Sequence, residues 1–415
     1  MKTQSRSAGP PAPASSPGRG APFHLCLRAA AALLCLGGLP GAAVAHVRWF
    51  TSLPETTLAP VAPTALIASR AFLALLLATL CVLALVQLAE GRLLRRGHLL
   101  ARLADRTQPG MTGAAALLVR IGLALYLAGL ALFFRDAPVT LAPELRASGD
   151  WIAPHQLLLA ACFLFRRGVL AGCAGLLALA AYSIHLFGWV HMIDYHFLLG
   201  ACVFLVLEST GCARWSRRGL AIFRVTVATS FMWVGIEKWV HPEWTQDVLE
   251  HQLPALLLGQ SPQFVATAAG FVEVALAFLV LFGRVSAQVA AATLLLLISS
   301  AIPLAGPIDA IGHLPMLFSL LVLAGTGNRV AAILEGLQAS DALATACRFV
   351  IIVAGLTGLY FLAHWLVAGG ADGPAWNQPQ LRTALVWVGV LGVWLLHVLH
   401  ACRRGGGLAP TPAAA

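Results

Sequence analysis

Residues 220–244 read LAIFRVTVATSFMWVGIEKWVHPEW. Through Val240 this stretch is predominantly apolar, and its only charged residues are Arg224, Glu237 and Lys238. About 20 consecutive apolar residues let an α-helix cross a bilayer, whereas ionisable groups inside such a run are rare and mark functional positions by default. The stretch therefore predicts a transmembrane helix with a polar site near its carboxyl end.

The same pattern recurs along the chain of 415 residues, of which 59% are hydrophobic and 11% charged, with a mean hydropathy of +0.83. Soluble domains carry about 25% charged residues, so an ordinary cytosolic enzyme is excluded, and so is disorder outside the two ends. We predict an all-α fold, a polytopic transmembrane helical bundle with the lipid bilayer as its partner. Its apolar stretches lie at approximately 63–89, 113–134, 152–166, 168–188, 195–209, 220–240, 263–283, 285–303, 313–327, 347–369 and 381–400.

The first 45 residues have the organisation of a secretory signal peptide. A basic, Pro-rich region to Pro22 precedes an apolar region from Leu25 to Leu39, and Ala43-Val44-Ala45 supplies a cleavage site. Cleavage would leave His46 first, whose α-amine and imidazole could then chelate copper. An uncleaved anchor helix is the alternative.

The formal charge of +10 comes from short basic clusters between the apolar runs. They occupy alternate loops, as the positive-inside rule requires, so we reject a nucleic-acid partner. This distribution predicts a multi-pass protein with its amino terminus outside after signal cleavage and its carboxyl terminus cytoplasmic. The cytoplasmic loops carry Arg92, Arg95, Arg96, Arg102, Arg106, Arg166, Arg167, Arg214, Arg217, Arg218, Arg284, Arg329, Arg403 and Arg404.

Several enzyme templates do not fit the chain. It has no Walker A, GxGxxG, GxSxG or HExxH motif. Nine cysteines are present without a CxxC pair. We therefore expect neither a disulfide scaffold nor thioredoxin-type exchange.

Two consecutive segments resemble each other. Each has an Arg early in its first helix, then three further apolar stretches, and Arg167 precedes His196 by the same 29 positions as Arg284 precedes His313. Both segments enter from the same side, which indicates a parallel repeat with its axis along the membrane normal. The second segment alone retains a full ionisable set.

A family resemblance rests on the second segment. Arg224 early in a helix, Gly-x-Glu-Lys-Trp at 235–239, His-Pro-Glu-Trp at 241–244, Gly-x-x-Glu at 270–273 and Asp-Ala-Ile-Gly-His at 309–313 together resemble the DoxX-like family of polytopic bacterial membrane proteins. The resemblance covers 220–328 well and 113–211 loosely, as in a tandem duplicated form. It implies two four-helix units in a bacterial cytoplasmic (inner) membrane, and a general likeness to bundles associated with quinone-linked and thiol-linked oxidation.

These observations divide the chain into six parts. They are a signal peptide at 1–45; an outer segment, leading transmembrane helix and basic cytoplasmic loop at 46–112; a first four-helix unit at 113–211; a second, DoxX-like four-helix unit at 219–328; two carboxyl-terminal transmembrane helices at 345–402; and a disordered tail at 403–415.

The ionisable residues of the second unit form the candidate site. Glu237 and His241 share a helical stripe with Ser230 and Trp233, and Glu273 lies near the middle of the next long helix. We expect the long side chain of Arg224 to approach Glu273. A structural salt bridge between helices and a proton or substrate site with Glu273 as acid or base are both compatible with this set.

The histidines give a second candidate. His191, Asp194 and His196 crowd one short loop, with Asp309 and His313 at the corresponding place in the second unit. Imidazole and carboxylate suit zinc, copper, iron or nickel. These residues, with His46, are candidate ligands of a transition metal ion; a proton relay, hydrogen bonding to a quinone and a structural cap are the alternatives.

Our first functional hypothesis is a quinone-interacting membrane oxidoreductase or subunit with an outward-facing site and a membrane or periplasmic redox partner. In this hypothesis Glu273 and His313 move protons while Lys238 and Arg224 balance charge, and aromatic residues stack on a ring. A transporter or metal-handling protein, and a scaffold subunit without catalysis, are the alternatives. The residues of the outward-facing site are Glu237, Lys238, Glu273, Asp309 and His313, with Arg224, Trp233 and His241 as cofactor-binding candidates.

Overall fold

The computed structural model describes residues 51, 53, 60–95, 99–326, 342–368 and 378–405, so the predicted signal peptide and His46 lie outside the described residues. Within them there is no strand, and nine helices are long and apolar enough to cross a membrane. The prediction of an all-α polytopic bundle is confirmed. We number the helices of ten or more residues, which are α1 (Arg70–Arg95), α2 (Leu99–Phe133), α3 (Ile152–Leu164), α4 (Val169–Phe187), α5 (His196–Ser209), α6 (Ala213–Val240), α7 (Pro242–His251), α8 (Pro262–Phe282), α9 (Val285–Ala305), α10 (Pro307–Thr326), α11 (Ala342–Ala368) and α12 (Gln378–Gly405).

Each predicted apolar stretch coincides with a helix, but some boundaries differ. The predicted stretch at 313–327 belongs to α10, which begins at Pro307. Gly306 has a φ of +86° and ends α9, and proline suits the first turn of a helix because its missing N–H needs no partner there. Asp309 and His313 therefore lie one turn apart on one helix, and not in a loop and a helix. At the other end of the chain α12 continues through Gly405, so the disordered tail predicted at 403–415 begins too early.

Eight of these helices pack in succession, each against the next in this order. We keep the predicted division as labels: the first unit is α2, α3, α4 and α5, and the second unit is α6, α8, α9 and α10. The two units meet where α6 packs along α5 and α10 packs along α2. Each unit thus contributes its first and last helix to the junction, which is the arrangement that a parallel duplication would generate. The duplication itself stays a prediction.

The remaining long helices lie beside the second unit. Helix α1 packs against α8 and α11, and α11 packs against α12 and α6. Near the carboxyl end of α1, the buried carboxylate of Glu90 accepts hydrogen bonds from the backbone N–H groups of Arg284 and Ser286 at 3.0 and 2.9 Å. Because the first N–H groups of a helix have no partner within that helix, Glu90 caps α9 and joins α1 to the second unit.

The turn that follows α6 is fixed by its sequence. Helix α6 ends at Val240, and Pro242 begins α7 after His241 leaves helical geometry at φ −125° and ψ 63°. A residue that precedes proline avoids the helical conformation. The backbone N–H of Val61 donates to the carbonyl of Val240 at 2.8 Å, so the segment before α1 covers this end of the bundle.

Candidate functional site

Helices α6 and α8 contact each other backbone to backbone. A Cβ atom on Gly270 would lie 2.6 Å from the carbonyl oxygen of Gly235, and one on Gly235 would lie 2.6 Å from Cγ2 of Val274. Only glycine at both positions permits this approach, as in other close helix pairs in membranes. The contact brings the polar residues near the end of α6 against the middle of α8.

The closest polar contact across this interface is an ion pair. Nζ of Lys238 donates to Oε2 of Glu273 at 2.8 Å, and the two side chains are only 1% and 5% exposed. The pair is therefore removed from water and surrounded by apolar helices. A charge in such a place needs a partner, because an unpaired buried charge costs several kcal/mol, typically about 3–5.

A second pair lies on α10. Nδ1 of His313 is 2.9 Å from Oδ1 of Asp309 and 3.0 Å from the Asp309 carbonyl, and the imidazole is fully buried. The carboxylate of Glu273 interacts electrostatically with His313 and Glu237 as well as with Lys238. The two pairs thus form one buried group, which we call the polar cluster and define as Glu237, Lys238, Glu273, Asp309 and His313.

Some oxygen and nitrogen atoms in and beside the polar cluster have no hydrogen-bond partner within the described part of the chain. They include Oδ2 of Asp309 and both ring nitrogens of His241, whose side chain is 4% exposed. Nδ1 of His241 is 3.5 Å from Oε1 of Glu243, and Glu243 is the more exposed of the two. Oδ2 of Asp309 can accept a hydrogen bond from a bound molecule, and the ring nitrogens of His241 can donate one to it or accept one from it.

Aromatic rings from three helices, α6, α7 and α11, lie around His241. Its imidazole stacks on Trp244 at 4.3 Å and lies 5.9 Å from the ring of His364. The ring of Tyr360 stacks on His364 at 4.3 Å and contacts Trp233 at 4.9 Å. We call these five residues the aromatic group. It adjoins the polar cluster through Glu237, which precedes His241 by one turn of α6.

The sequence predicted Trp233 and His241 as cofactor-binding residues, but it missed Tyr360 and His364. Both belong to α11, which the sequence separated from the second unit as part of a carboxyl-terminal pair. Their spacing of four residues puts them on one helix face. The sequence contains this spacing, but only the packing of α11 on α6 shows which residues contact the face that carries Tyr360 and His364.

The expectation that Arg224 approaches Glu273 is wrong. Its guanidinium donates to the carbonyl of Val280 at 3.0 Å, near the carboxyl end of α8. Val280 is seven residues from Glu273, about 10 Å along a helix at 1.5 Å per residue. Arg120 does the same in the first unit, donating to the carbonyls of Phe163 and Leu164 at 2.7 and 2.6 Å. Both arginines satisfy carbonyls that lack partners at helix ends, and Lys238 takes the place predicted for Arg224.

The predicted metal ligands of the first unit have other partners. His196 uses both ring nitrogens, Nδ1 with the Ile193 carbonyl at 2.6 Å and Nε2 with Oγ1 of Thr229 at 2.7 Å. Nε2 of His191 is 3.7 Å from Oε1 of Glu144, and Tyr195 donates a hydrogen bond to that same oxygen.

Asp194 is buried, and its backbone carbonyl accepts from Oγ of Ser230 at 3.3 Å. His191, Asp194 and His196 therefore hold the junction of α5 and α6 and the loop between α2 and α3. Among the residues the structure describes, no group of three His, Cys, Asp or Glu residues could hold a metal ion. The predicted ligand His46 lies outside the described residues, so the metal site stays a prediction.

Comparison with known proteins identifies one family. The model of the DoxX family matches residues 219–306, which comprise α6 from its seventh residue onward, α7, α8 and α9. The match contains Glu237, Lys238, His241 and Glu273, and it ends three residues before Asp309. No curated protein and no solved structure gives a significant match. The chain is thus a multi-pass membrane protein with a DoxX-like segment.

Proposed function

We propose that this chain is a DoxX-like membrane protein that binds a quinone beside the polar cluster and exchanges protons with it, as an oxidoreductase or a subunit of one. The observation that carries the proposal is the buried Lys238–Glu273 pair joined electrostatically to His313. Electrons would pass to a membrane or periplasmic redox partner. Lys238, Glu273 and His313 are the residues expected to act on the bound molecule.

The charges of the polar cluster support proton exchange. Its three carboxyl groups face one lysine and one histidine, so full ionisation would leave a net charge of −1 with a charged imidazole and −2 with a neutral one. Net charge in an apolar interior is strongly unfavourable. The cluster is therefore most stable when it holds an additional proton, and it can release that proton when a neighbouring charge changes.

The aromatic group supports a ring-shaped ligand. Trp233, Tyr360 and His241 present faces and edges suited to stacking, which contributes about 0.5–1.5 kcal/mol per aromatic pair. A ring N–H of His241 can donate a hydrogen bond to a quinone oxygen, and Oδ2 of Asp309 can accept one from a hydroxyl group of the quinol. A bound quinone supplies two-electron, two-proton chemistry, and the residues of this chain would orient it and hold or move its protons.

The alternatives fit the geometry less well. Substrate sites of duplicated transporters lie at the interface between repeats, whereas the polar cluster lies between α6, α8 and α10, within one unit. A metal-handling function would favour a group of three or more ligands, which the described residues do not provide. In a scaffold subunit the ion pair would serve stability alone. A variant that lacks the pair but is stable would then keep its function, which distinguishes a scaffold from a quinone site.

Binding of a quinone can be measured in lipid nanodiscs by titration with a short-chain, fully substituted benzoquinone and by the quenching of tryptophan fluorescence. We expect saturable binding that weakens by about tenfold or more in His313→Ala and Asp309→Asn, a loss of about 1.4 kcal/mol or more. His185→Ala, on the exposed face of α4 in the other unit, is the matched control and retains the affinity of the unmodified protein. Equal affinity in His313→Ala, or no saturable binding, would contradict the proposal.

The additional proton can be located with a hydrophobic carbodiimide, which reacts with protonated carboxyl groups in apolar surroundings. At neutral pH we expect modification of one carboxyl group among Glu237, Glu273 and Asp309, identified by peptide mass. Exposed Glu250 is the internal control and stays unmodified because it does not lie in apolar surroundings. If none of the three reacts, the polar cluster does not carry an exchangeable proton.

A further inference from the structure

Two cysteines from different helices of the first unit lie against each other. Cys173 on α4 and Cys202 on α5 are each 2% exposed, and both are free thiols. Sγ of Cys173 donates a hydrogen bond to the backbone carbonyl oxygen of Cys202 at 3.8 Å. The two cysteines are 29 positions apart in the sequence, and their contact could not be predicted from it because it depends on how α4 packs on α5.

The surroundings of the pair restrict which oxidants can reach it. Leu170 and Leu177 on α4 are 56% and 41% exposed on the outside of an apolar helix of membrane-spanning length. Water-soluble oxidants are therefore separated from the thiols by apolar side chains and lipid. A lipid-soluble molecule can approach α4 from the bilayer without leaving an apolar environment.

We propose that Cys173 and Cys202 form a redox-active dithiol that a lipid-soluble quinone oxidises to an intramembrane disulfide. The two S–H bonds break and one S–S bond forms between the Sγ atoms. The two electrons and two protons pass to the quinone, which becomes the quinol. The two Sγ atoms must approach to a bond of about 2.05 Å, and the contact of Cys173 with the backbone of Cys202 already brings the two residues side by side.

This inference goes beyond the proposed function and uses other residues in the other four-helix unit. The cysteine pair would give the chain a two-electron couple of its own, whereas the polar cluster handles protons. Buried free cysteines also occur simply as small apolar core residues. A purely packing role and a redox role differ in whether the thiols disappear together in the presence of an oxidant.

The test treats the reduced full-length protein in nanodiscs with a fully substituted benzoquinone, whose ring has no position for thiol addition. The protein is then denatured and alkylated, and its peptides are analysed by mass. We expect a linked peptide pair containing Cys173 and Cys202, one quinol formed per disulfide, and complete reversal by dithiothreitol. Cys173→Ser and Cys202→Ser should each abolish quinol formation. Serine is close to cysteine in size, and at position 173 it can keep the hydrogen bond to the Cys202 carbonyl.

Cys162→Ser is the matched control, since Cys162 on α3 lies beside Gly172 of α4, the residue before Cys173. This variant should form the Cys173–Cys202 disulfide as before. If both thiols remain open to alkylation after quinone treatment, or if the linkage involves Cys162, the proposal is overturned. Failure of the tryptophan-quenching titration would overturn only the proposed function, because the disulfide is measured directly at residues of the first unit.

Discussion

At the scale of single residues, the Lys238–Glu273 pair separates a structural role from a functional one. Glu273→Gln leaves the Lys238 ammonium buried without its counter-charge, so we expect a loss of about 3–5 kcal/mol in the free energy of unfolding. Replacing both partners, as Lys238→Met with Glu273→Leu, should restore most of this loss, because apolar residues of similar volume can substitute for a buried pair. Denaturant unfolding in detergent measures both effects.

Exposed Glu250→Gln on α7 is the control and should change the free energy of unfolding by less than about 0.5 kcal/mol. The doubly substituted protein then decides between the hypotheses. A scaffold subunit stays fully functional once its stability is restored. If the pair belongs to a quinone site, the doubly substituted protein is folded but binds quinone more weakly. A stable double variant that still binds quinone normally would contradict the role given to this pair.

Cys212 gives a second prediction at this scale. Its exposed thiol precedes α6, where hydrogen bonds from the backbone N–H groups of Trp215 and Arg214, together with the charges of Arg214 and Arg217, lower its pKa from the ordinary value. A lowered pKa means that the reactive thiolate persists to lower pH. The midpoint of its alkylation rate against pH should therefore lie below that of the same cysteine in the denatured protein. Equal midpoints in the folded and the denatured protein would contradict the predicted lowering of the Cys212 pKa at the start of α6.

At the scale of elements, the sequence predicted the helices well, since an apolar run of bilayer length has few other stable conformations. Their ends were harder to predict. The start of α10 depends on Gly306 and Pro307, and the beginning of α6 at Ala213 includes the basic residues before the apolar run. Polar residues in the first or last turn of a helix do not raise the hydropathy of that segment. Hydropathy alone therefore predicts helices that are several residues too short at such ends.

Glu90 provides a prediction about how elements join. Its side chain accepts three hydrogen bonds from the first turn of α9 and the residue before it, two from backbone N–H groups and one from Oγ of Ser286 at 3.0 Å. Glu90→Ala should lower the free energy of unfolding by about 2 kcal/mol, as for the loss of a strong helix cap. Ser286→Ala removes only one of the three bonds and should cost less. Equal effects of the two substitutions would show that the cap does not hold α1 to the second unit.

At the scale of the whole molecule, the candidate site combines residues that the sequence grouped with residues that it separated. Glu237, Lys238 and Glu273 were expected together, and a buried ion pair does join α6 to α8 there. The partner of Arg224, the contribution of Tyr360 from α11 and the contact of Cys173 with Cys202 were not expected. Each of these depends on which faces of two distant helices meet, and no periodicity within one helix contains that information.

Orientation in the membrane is the remaining prediction at this scale, because it decides which aqueous phase lies next to the polar cluster. Helix α6 has Arg214, Arg217 and Arg218 at one end and the cluster near the other, and the positive-inside rule assigns the basic end to the cytoplasm. A membrane-impermeant maleimide should therefore label Cys212 only after cells are permeabilised. A cysteine introduced by Gln260→Cys, exposed on the segment between α7 and α8, should be labelled in intact cells. The reverse pattern would put the polar cluster on the cytoplasmic side, and protons released there would then enter the cytoplasm.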